Sequence, residues 1–332
     1  MRQVTRMKEY QMRILVTGGA GFIGSHFVRS MLDGRYPGHE DTRITVLDKL
    51  TYAGRRENLP EAHPRLTFVC GDICDRELLA DLLPGHDGVV HFAAESHVDR
   101  AVNDAEPFVW ANVVGTHRLL EQCGTSGIQR VVHVSTDEVY GSIEQGSWTE
   151  RFRLEPNNPY SASKAASDCL ARSHWRTYGL DLSITRCSNN YGPRQHLEKI
   201  IPRFVTRLLQ GRDLTLHGDG SAVREWLHVD DHCRGISMVL DKGRAGEIYN
   251  IGGGVELTNR ELTGLLLELA GADWDRVRYV PDRRVQDHRY SLDFRKITEE
   301  IGFEPVIDFK EGLADAVTWY RENQSWWASL DA

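Results

Sequence analysis

A hydroxyl group and two carboxylates stand side by side at Thr136, Asp137 and Glu138, shortly after an apolar run at residues 131–134. Such a run predicts a buried strand, so the three side chains would lie where a strand meets a loop. Ligands bind at that edge of open α/β sheets. Adjacent carboxylates are useful when one is protonated and the other ionised, as acid and base catalysis require. A solvated loop with a helix cap is the alternative for these residues alone.

A tyrosine and a lysine follow at Tyr160 and Lys164, in helix-forming sequence that continues to Tyr178. Residues four apart share a helix face, so the phenol and the ammonium can address one point. A nearby ammonium and a bound nicotinamide cation would lower the phenol pKa from its usual value of about 10, making it a base near neutral pH. Tyr-x-x-x-Lys alone is common in amphipathic helices, so the surrounding motifs decide its meaning.

The elements that must position these groups begin with a β-branched run at residues 13–17. Glycines recur at every third position from Gly18 to Gly24, and a helical pattern then continues to Leu32. In this strand-turn-helix context backbone N–H groups can approach a pyrophosphate closely, because glycine has no side chain. The sequence therefore predicts a dinucleotide site, with contacts at Gly18, Gly21, Phe22, Ile23 and Gly24.

The second predicted strand, at residues 44–47, ends at Asp48. A carboxylate roughly 20 residues past the glycines accepts hydrogen bonds from the adenosine ribose and repels a 2′-phosphate, which favours NAD over NADP. Arg55 and Arg56 lie nearby and keep NADP as an alternative. A solvated aspartate at a strand end is the other interpretation of Asp48.

Further predicted strands at residues 66–69 and 88–94 alternate with helix-length segments at 76–83 and 107–123. This alternation predicts an α/β fold of the Rossmann type, with a doubly wound parallel sheet. Ala93 and Ala94 would let a cofactor lie against the backbone, although helix packing also explains small residues there. The polar segment after them, with Ser96 and His97, suits the wall of a site.

Composition excludes several classes of function. The 332 residues are 40% hydrophobic and 27% charged with a formal net charge of -8 and no basic stripe, which argues against a nucleic-acid partner. No apolar run approaches the roughly 20 residues that span a membrane. The six cysteines include no Cys-x-x-Cys pair, so we expect reduced, mostly buried thiols, a cytoplasmic protein and no metal site.

Five motifs occur together: TGGAGFIG at 17–24, DKLTYAG at 48–54, AAESHVDR at 93–100, STDEVYG at 135–141 and NNYGPRQ at 189–195. With them the chain resembles the extended short-chain dehydrogenase/reductase family, and within it the dTDP-glucose 4,6-dehydratases, from about Met12 to the C-terminus. Asp137 and Glu138 distinguish the dehydratases from related epimerases, which generally lack both acids. The resemblance implies a lyase that converts dTDP-glucose to dTDP-4-keto-6-deoxyglucose, with NAD as a regenerated cofactor.

The resemblance also implies a role for each catalytic residue. Tyr160 would take the proton from the C4 hydroxyl group, Lys164 would hold the pKa of Tyr160 down and bind the nicotinamide ribose, and Thr136 would orient the C4 oxygen. Glu138 would remove the C5 proton. Asp137 would protonate the departing C6 hydroxyl group.

Binding residues are implied in the same way. Further cofactor contacts are expected at Asp48, Lys49, Leu50, Thr51, Asp72, Ile73, Ala93, Ala94, Ser96, Tyr160, Lys164 and Asn190. Substrate contacts are expected at Ser96, His97, Thr136, Asn189, Lys199, Ile200, Thr215, His217, Arg224, Asn259, Arg283 and Gln286. Thr215, His217 and Gln286 stand where many relatives carry Pro, Tyr and His, so recognition of the thymine base stays open.

The expected organisation is an N-terminal extension at 1–12, an NAD-binding domain at 13–187 and 229–252, and a sugar-nucleotide domain at 188–228 and 253–332. The family often forms homodimers through the helices predicted at 107–123 and 160–178, and apolar packing on the sheet would also explain those helices. Alternative functions are a dehydratase or 4-epimerase acting on a UDP or GDP sugar, and a non-catalytic NAD-binding regulatory protein. The five intact catalytic residues argue against the last.

Overall fold

The computed structural model describes residues 11–282 and 287–330. Its strands, in chain order, are β1 (Arg13–Thr17), β2 (Arg43–Asp48), β3 (Leu66–Cys70), β4 (Gly88–His91), β5 (Arg130–Thr136), β6 (Leu182–Cys187), β7 (Asn189–Tyr191), β8 (Leu214–His217), β9 (Val223–His228), β10 (Ile248–Ile251), β11 (Val255–Thr258) and β12 (Val277–Val280).

The helices are α1 (Phe22–Leu32), α2 (Arg76–Leu82), α3 (Val98–Asn103), α4 (Glu106–Phe108), α5 (Thr116–Thr125), α6 (Pro159–Tyr178), α7 (Ile200–Leu209), α8 (Val229–Lys242), α9 (Asn259–Ala270), α10 (Arg295–Ile301), α11 (Phe309–Glu322) and α12 (Gln324–Ala328). Short 3₁₀ turns lie at Arg56–Asn58, Asp137–Tyr140 and Trp274–Arg276, and a π-helical segment, Val109–Gly115, joins α4 to α5.

Seven strands form one parallel sheet in the order β10-β6-β5-β4-β1-β2-β3. Alternate residues of β1 are buried on opposite faces of the sheet. Ile14 and Val16 pack in a core with α1, α8 and α10, whereas Leu15 packs in another with α2, α5 and α6. Burial on both faces explains why these strands are continuously apolar. The predicted doubly wound parallel sheet is confirmed, and its switch point lies between β1 and β4.

The remaining strands pack apart from this sheet. A three-stranded sheet in the order β11-β9-β7 and the two-stranded pair β12-β8 share a third core with α7, α9 and α11. Trp226 on β9, Leu266 on α9 and Leu313 on α11 are among its buried members. The predicted domain boundaries stay a prediction. The separate core is consistent with a second domain that contains these strands and helices.

Two helical segments differ from the sequence-based expectation. The sequence between residues 309 and 327 predicts one continuous C-terminal helix, but the structure breaks it between α11 and α12 at Asn323. The Asn323 side chain donates a hydrogen bond to the Trp319 carbonyl at 2.8 Å. A short polar side chain that bonds to its own backbone competes with helix continuation. The helix predicted at 107–123 contains the π-helical segment, which places Asn112 beside the chain leaving β4.

The cysteines are also only partly as expected. Cys123, Cys187 and Cys233 are buried, but Cys70 and Cys169 are exposed and Cys74 is partly exposed, so the expectation of mostly buried thiols is wrong for half of them. All six are free thiols. Within residues 11–282 and 287–330, no helix is both long and apolar enough to cross a membrane.

A buried charge network joins strands β5 and β6 to helix α6. Arg186 Nε donates to Asp168 Oδ2 at 2.8 Å, and His133 Nε2 lies 3.3 Å from Asp168 Oδ1. Burial by itself would raise the pKa of Asp168, but the charge of Arg186 and the hydrogen bond from His133 outweigh it and lower the pKa to about 2. The ionised carboxylate therefore neutralises an arginine that water cannot reach.

Replacing Asp168 by Asn is expected to reduce the free energy of unfolding by about 3–5 kcal/mol at neutral pH, because the Arg186 guanidinium would be left buried without a counter-charge. The folded pKa is depressed, so this stabilisation is present above the ordinary value of 3.8 and disappears as pH falls through about 2. Urea unfolding of the wild type and of Asp168→Asn at several pH values measures this difference in the free energy of unfolding.

Asp181→Asn is the matched control for this substitution. Asp181 also pairs with an arginine, Arg130, at 2.5 Å, but its side chain is 50% exposed. Water screens such a pair, so we expect a loss below about 1 kcal/mol. Equal losses in the two variants would contradict the importance given to burial.

Candidate active site

A cavity of about 680 Å³ lies at the carboxyl ends of the central strands. The turn between β1 and α1, the ends of β2, β4 and β5, the start of α6 and the chain after β6 all contribute to its wall. A second cavity of about 180 Å³ shares Glu138, Asn189, Asn190 and Lys199 with the first. The two cavities therefore meet beside the tip of β5.

The glycine-rich turn is shaped by close backbone contacts. Gly18 has a φ of +68°, and a Cβ added there would lie 2.5 Å from the Ala93 nitrogen. A Cβ on Gly24 would lie 2.3 Å from the Gly18 carbonyl oxygen. Gly21 is the N-cap of α1 and offers no side chain to it, so the first N–H groups of the helix remain available to an anion. The cradle fits the predicted pyrophosphate.

Asp48 ties the glycine-rich turn to the loop after β2. Its Oδ2 accepts from the Ala20 N–H at 2.9 Å and its Oδ1 from the Leu50 N–H at 2.8 Å. Burial raises the pKa of Asp48, while these two hydrogen bonds oppose the shift. A carboxylate can accept about four hydrogen bonds, so both oxygens retain a free position for ribose hydroxyl groups.

The other predicted cofactor contacts are mostly in the wall of the larger cavity. Lys49 and Asp72 both line it and form an ion pair of 2.7 Å. Leu50 is absent from the cavity wall; it has a left-handed φ of 54° and packs against the hydrophobic core. Also in the wall are Gly18, Gly21, Phe22, Ile23, Gly24, Thr51, Ile73, Ala93, Ala94, Ser96 and Asn190.

Asn112 fixes the polar segment that follows β4. Its Oδ1 accepts from the Glu95 N–H at 2.9 Å, and its Nδ2 donates to the Glu95 carbonyl at 3.0 Å and to Ser163 Oγ at 2.8 Å. Ser163 lies on α6 between Tyr160 and Lys164, so one amide links this wall to the helix that carries them. The sequence reasoning missed Asn112, which lies in a helix of otherwise unremarkable pattern.

Thr136, Asp137 and Glu138 form a compact group at the tip of β5. Thr136 Oγ1 accepts from the Glu138 N–H at 3.3 Å and donates to Asp137 Oδ1 at 3.3 Å. Asp137 is 1% exposed, and its Oδ2 has no hydrogen-bond partner among the described residues. Ser161 Oγ on α6 donates to Glu138 Oε2 at 3.3 Å. One acid is thus enclosed and the other is tied to the helix.

The two acids have different electrostatic surroundings. Burial, reinforced by the charges of Glu138 and Glu225, raises the pKa of Asp137 well above its usual value. Burial also raises the pKa of Glu138, but the positive charges of Lys199 and Arg224 act against it. These influences favour a protonated Asp137 beside an ionised Glu138.

Tyr160 and Lys164 lie in the first turns of α6, capped by Asn158 Oδ1, which accepts from the Ser161 N–H at 2.9 Å. The Lys164 ammonium donates to the Val134 carbonyl of β5 at 2.8 Å. Burial, followed by the charge of Glu138, raises the pKa of Tyr160 well above 10.

This raised pKa belongs to the protein without a bound cofactor, whereas the expected lowering requires a nicotinamide cation as well as Lys164, so the lowering stays a prediction. Burial lowers the pKa of Lys164, and this ammonium does not offset the desolvation of the neighbouring phenol. A second positive charge, such as that of an oxidised nicotinamide, is needed to make Tyr160 a base near neutral pH.

The smaller cavity contains most of the predicted substrate contacts. Arg224 on β9 and Lys199 before α7 supply positive charge to its wall. The Arg224 guanidinium stacks 4.3 Å above the Tyr290 ring, which fixes its plane. Also in the wall are His97, Asn189, Ile200, Thr215, His217 and Asn259. Arg283 and Gln286 lie outside the described residues. A cationic cavity joined to the catalytic group suits a diphosphate.

Comparison with known proteins places this geometry in a family. Residues 15–316 match the family model described as GDP-mannose 4,6 dehydratase. A dTDP-glucose 4,6-dehydratase of an Actinoplanes species is 57% identical over 319 residues, covering 95% of this chain and 100% of the relative. The chain belongs to the dTDP-glucose 4,6-dehydratase family.

Solved 4,6-dehydratases share the fold closely. One from Streptomyces venezuelae, with NAD and TYD bound, is 63% identical with a TM-score of 0.95, covering 96% of this chain and 100% of that one. Another from Bacillus anthracis, in complex with NAD, is 45% identical with a TM-score of 0.89, covering 96% and 99%. The resemblance to the extended short-chain dehydrogenase/reductase family is confirmed.

In this 4,6-dehydratase the sequence reasoning missed a buried acid behind the catalytic group. Glu225 is 1% exposed, and its carboxylate accepts from the N–H groups of Gly253, Gly254 and Leu292 at 2.8, 3.0 and 2.6 Å. Its negative charge helps to keep Asp137 protonated. β9 also contains Arg224 and His228, so its sequence contained no clear signal that Glu225 is buried.

Proposed function

We propose that this protein is a dTDP-glucose 4,6-dehydratase that uses NAD as a regenerated cofactor. The observation that carries the proposal is the adjacent pair Asp137 and Glu138: burial raises the pKa of both acids, and the positive charges of Lys199 and Arg224 oppose this rise at Glu138. The pair shares one cavity with the glycine-rich cradle, Tyr160 and Lys164. A dehydrogenase site with an added acid and base is what oxidation followed by loss of water requires.

The residues of this chain fit NAD along the length of the larger cavity. The turn at Gly18 and Gly21 would hold the pyrophosphate, and Asp48 would accept from the adenosine ribose. The Lys164 ammonium donates one hydrogen bond to the Val134 carbonyl, and its other two N–H groups would bind the nicotinamide ribose. NAD supplies a hydride acceptor for the oxidation and a hydride donor for the final reduction.

Tyr160 and Thr136 act on the C4 hydroxyl group of the glucose ring. Tyr160, as a phenolate, takes the hydroxyl proton while the C4 hydride leaves, so that the alcohol becomes a ketone. Thr136 hydrogen-bonds to the C4 oxygen and orients it. Lys164 adds positive charge on the side of the phenol where negative charge develops.

Glu138 and Asp137 then remove water across C5 and C6. The C4 ketone makes the C5 proton acidic, and Glu138 takes it as a carboxylate. Asp137 donates its proton to the departing C6 hydroxyl group, which leaves as water. After the hydride is added at C6, a proton returns to C5 to give the 4-keto-6-deoxy sugar. Overall one water is lost, and no net oxidation occurs.

The nucleotide would occupy the smaller cavity. Arg224 and Lys199 would neutralise the diphosphate, and Asn189, at the junction of the cavities, would contact the sugar. Thr215 and His217 would lie beside the base, where the imidazole can stack on thymine. Predicted contacts from Arg283 and Gln286 stay predictions.

A substrate panel tests the function. The purified protein is incubated with dTDP-glucose, UDP-glucose and GDP-mannose, without added NAD, and the alkali-induced absorbance of a 4-keto-6-deoxy sugar is followed. We expect product from dTDP-glucose at the highest rate. Product only from a GDP or UDP sugar would transfer the assignment to a related dehydratase. A C4 epimer without loss of water would indicate an epimerase, and no reaction would favour a regulatory NAD-binding protein.

The acidic limb of the pH–rate profile is expected to report Glu138. The base must be ionised, so kcat/KM should fall as pH drops through the pKa of Glu138, which lies above the ordinary 4.5. Lys199 opposes this rise, so Lys199→Gln should shift the limb to higher pH as well as weaken substrate binding. Steady-state kinetics across pH measure both effects, and an unmoved limb would contradict the assignment.

A homodimer and a cytoplasmic location remain part of the proposal. Trp110, in the π-helical segment, is 49% exposed and Tyr178, at the end of α6, is 72% exposed. Both lie on the helices expected to form a two-fold interface. Sedimentation analysis would test the assembly. The free thiols suit a reducing compartment.

A further inference from the structure

One carboxylate, Glu198, joins segments that are far apart in the sequence. Tyr52 Oη, in the loop after β2, donates to Glu198 Oε1 at 3.1 Å. Arg100 Nε, on α3, lies 3.5 Å from Glu198 Oε2, and nitrogens of His196 and His97 lie 3.8 and 3.9 Å from the same oxygen. The Glu198 side chain is only 11% exposed.

The partners of Glu198 also contact one another. The Arg100 guanidinium lies 3.8 Å above the Tyr52 ring, and the His196 ring meets the Tyr52 ring edge-on with 5.4 Å between centroids. We call Tyr52, Arg100, His196 and Glu198 the Glu198 clasp. The Tyr52 ring therefore contacts both Arg100 and His196, and these contacts restrict the side-chain conformations that the clasp can adopt.

Each segment of the clasp carries part of the wall of the larger cavity. Thr51 and Ala53 come from the loop after β2, Glu95 and Ser96 from the chain after β4, and His196, Glu198 and Lys199 from the chain before α7. Lys199 Nζ also donates to the Ser96 carbonyl at 2.9 Å. The clasp and this hydrogen bond hold the three walls around the space that fits NAD.

We propose that Glu198 is a positioning residue that holds these walls together and so retains NAD through the catalytic cycle. The inference rests on the proposed function, in which the hydride taken from C4 must return to C6 of the same sugar. Loss of the reduced cofactor between these steps would strand the oxidised sugar. Glu198 lines both cavities, and the nucleotide of the substrate would lie in the smaller one, so the product could leave on that side while the cofactor stays in the larger cavity.

Glu198→Gln tests this role. The amide keeps the size of the side chain and can still accept from Tyr52, but it loses the charge that attracts Arg100. We expect bound NADH to dissociate about threefold to fivefold faster, because the Arg100 side chain is 53% exposed and water screens the lost charge interaction. The protein is loaded with NADH and mixed with excess NAD, and the decay of NADH fluorescence is recorded. The nucleotide retained after gel filtration is a second measure.

Glu57→Gln is the matched control. Glu57 lies beyond Tyr52 in the chain and pairs with Arg55 at 3.4 Å, but its side chain is 67% exposed. NADH should dissociate from this variant at the wild-type rate. Tyr52→Phe, which removes only the hydroxyl group, should give an intermediate rate.

The unfolding temperature of each nucleotide-free variant shows whether faster NADH dissociation results from a less stable fold or from weaker retention of the cofactor. Faster dissociation with an unchanged unfolding temperature supports the proposal. Dissociation of NADH from Glu198→Gln and Tyr52→Phe at the wild-type rate would overturn it. A wild-type protein that binds no NADH would instead refute the proposed cofactor and hence the proposed function. A retained cofactor without dehydratase product would refute only the function.

Discussion

Asn at position 137 is expected to lower dehydratase turnover by about 10²- to 10⁴-fold while leaving oxidation at C4 measurable. An amide cannot give a proton to the departing C6 hydroxyl group, and general acid catalysis is worth about that factor. Tyr160, Thr136 and Glu138 are untouched. The blocked step lies after the oxidation, so reduced nicotinamide should accumulate when the variant is mixed with dTDP-glucose, and its absorbance measures the effect.

Two controls accompany Asp137→Asn. Burial favours the neutral form of Asp137, so the substitution changes little charge, and we expect an unfolding temperature within a few degrees of wild type. Glu138 can still remove the C5 proton, so hydrogen at C5 should still exchange with deuterated solvent. Full overall turnover in this variant would show that another group supplies the proton.

Tyr160→Phe is expected to slow the oxidation itself, with a loss of about 10²- to 10⁴-fold in the rate of reduced nicotinamide formation. Without the phenol no group accepts the C4 hydroxyl proton as the hydride leaves. The variant should therefore show neither accumulated reduced nicotinamide nor product. Single-turnover absorbance measurements distinguish it from Asp137→Asn, which stops at a later step.

Tyr36→Phe is a suitable comparison for Tyr160→Phe. Tyr36 is 4% exposed, burial raises its pKa as it does that of Tyr160, and its ring packs in the core against Phe27, away from the cavity wall. Turnover should be unchanged in this variant. Rapid nicotinamide reduction by Tyr160→Phe would show that a different base acts at C4.

The central sheet, and the grouping of the candidate catalytic residues at one edge of it, were largely predictable from local sequence. Continuous apolar runs and the spacing of Gly18, Gly21 and Gly24 depend on neighbours within one strand-turn-helix unit, so they appear in the sequence itself. Thr136, Asp137 and Glu138 are consecutive, and Tyr160 and Lys164 are one helical turn apart. Parallel strands then bring their carboxyl ends together, which the predicted topology already required.

Only the tertiary structure decided how these groups behave. The pKa of Asp137 depends on Glu225 of β9, and that of Glu138 on Lys199 and Arg224 from beyond the central sheet. The pKa of Tyr160 in the protein by itself likewise depends on burial and on Glu138, and a Tyr-x-x-x-Lys spacing contains no information on either.

The Glu198 clasp is a second feature that the spacing of residues in the sequence could not predict. Tyr52, Arg100 and Glu198 lie in three segments separated by tens of residues, and none has a spacing that indicates a shared contact. Motif and period therefore indicated the fold and the glycine-rich cradle, and the family resemblance supplied the roles proposed for the reacting groups. Packing between distant segments decided the electrostatic surroundings of these groups and which residues line the cavity proposed for the cofactor, because desolvation and long-range contacts exist only once the chain is folded.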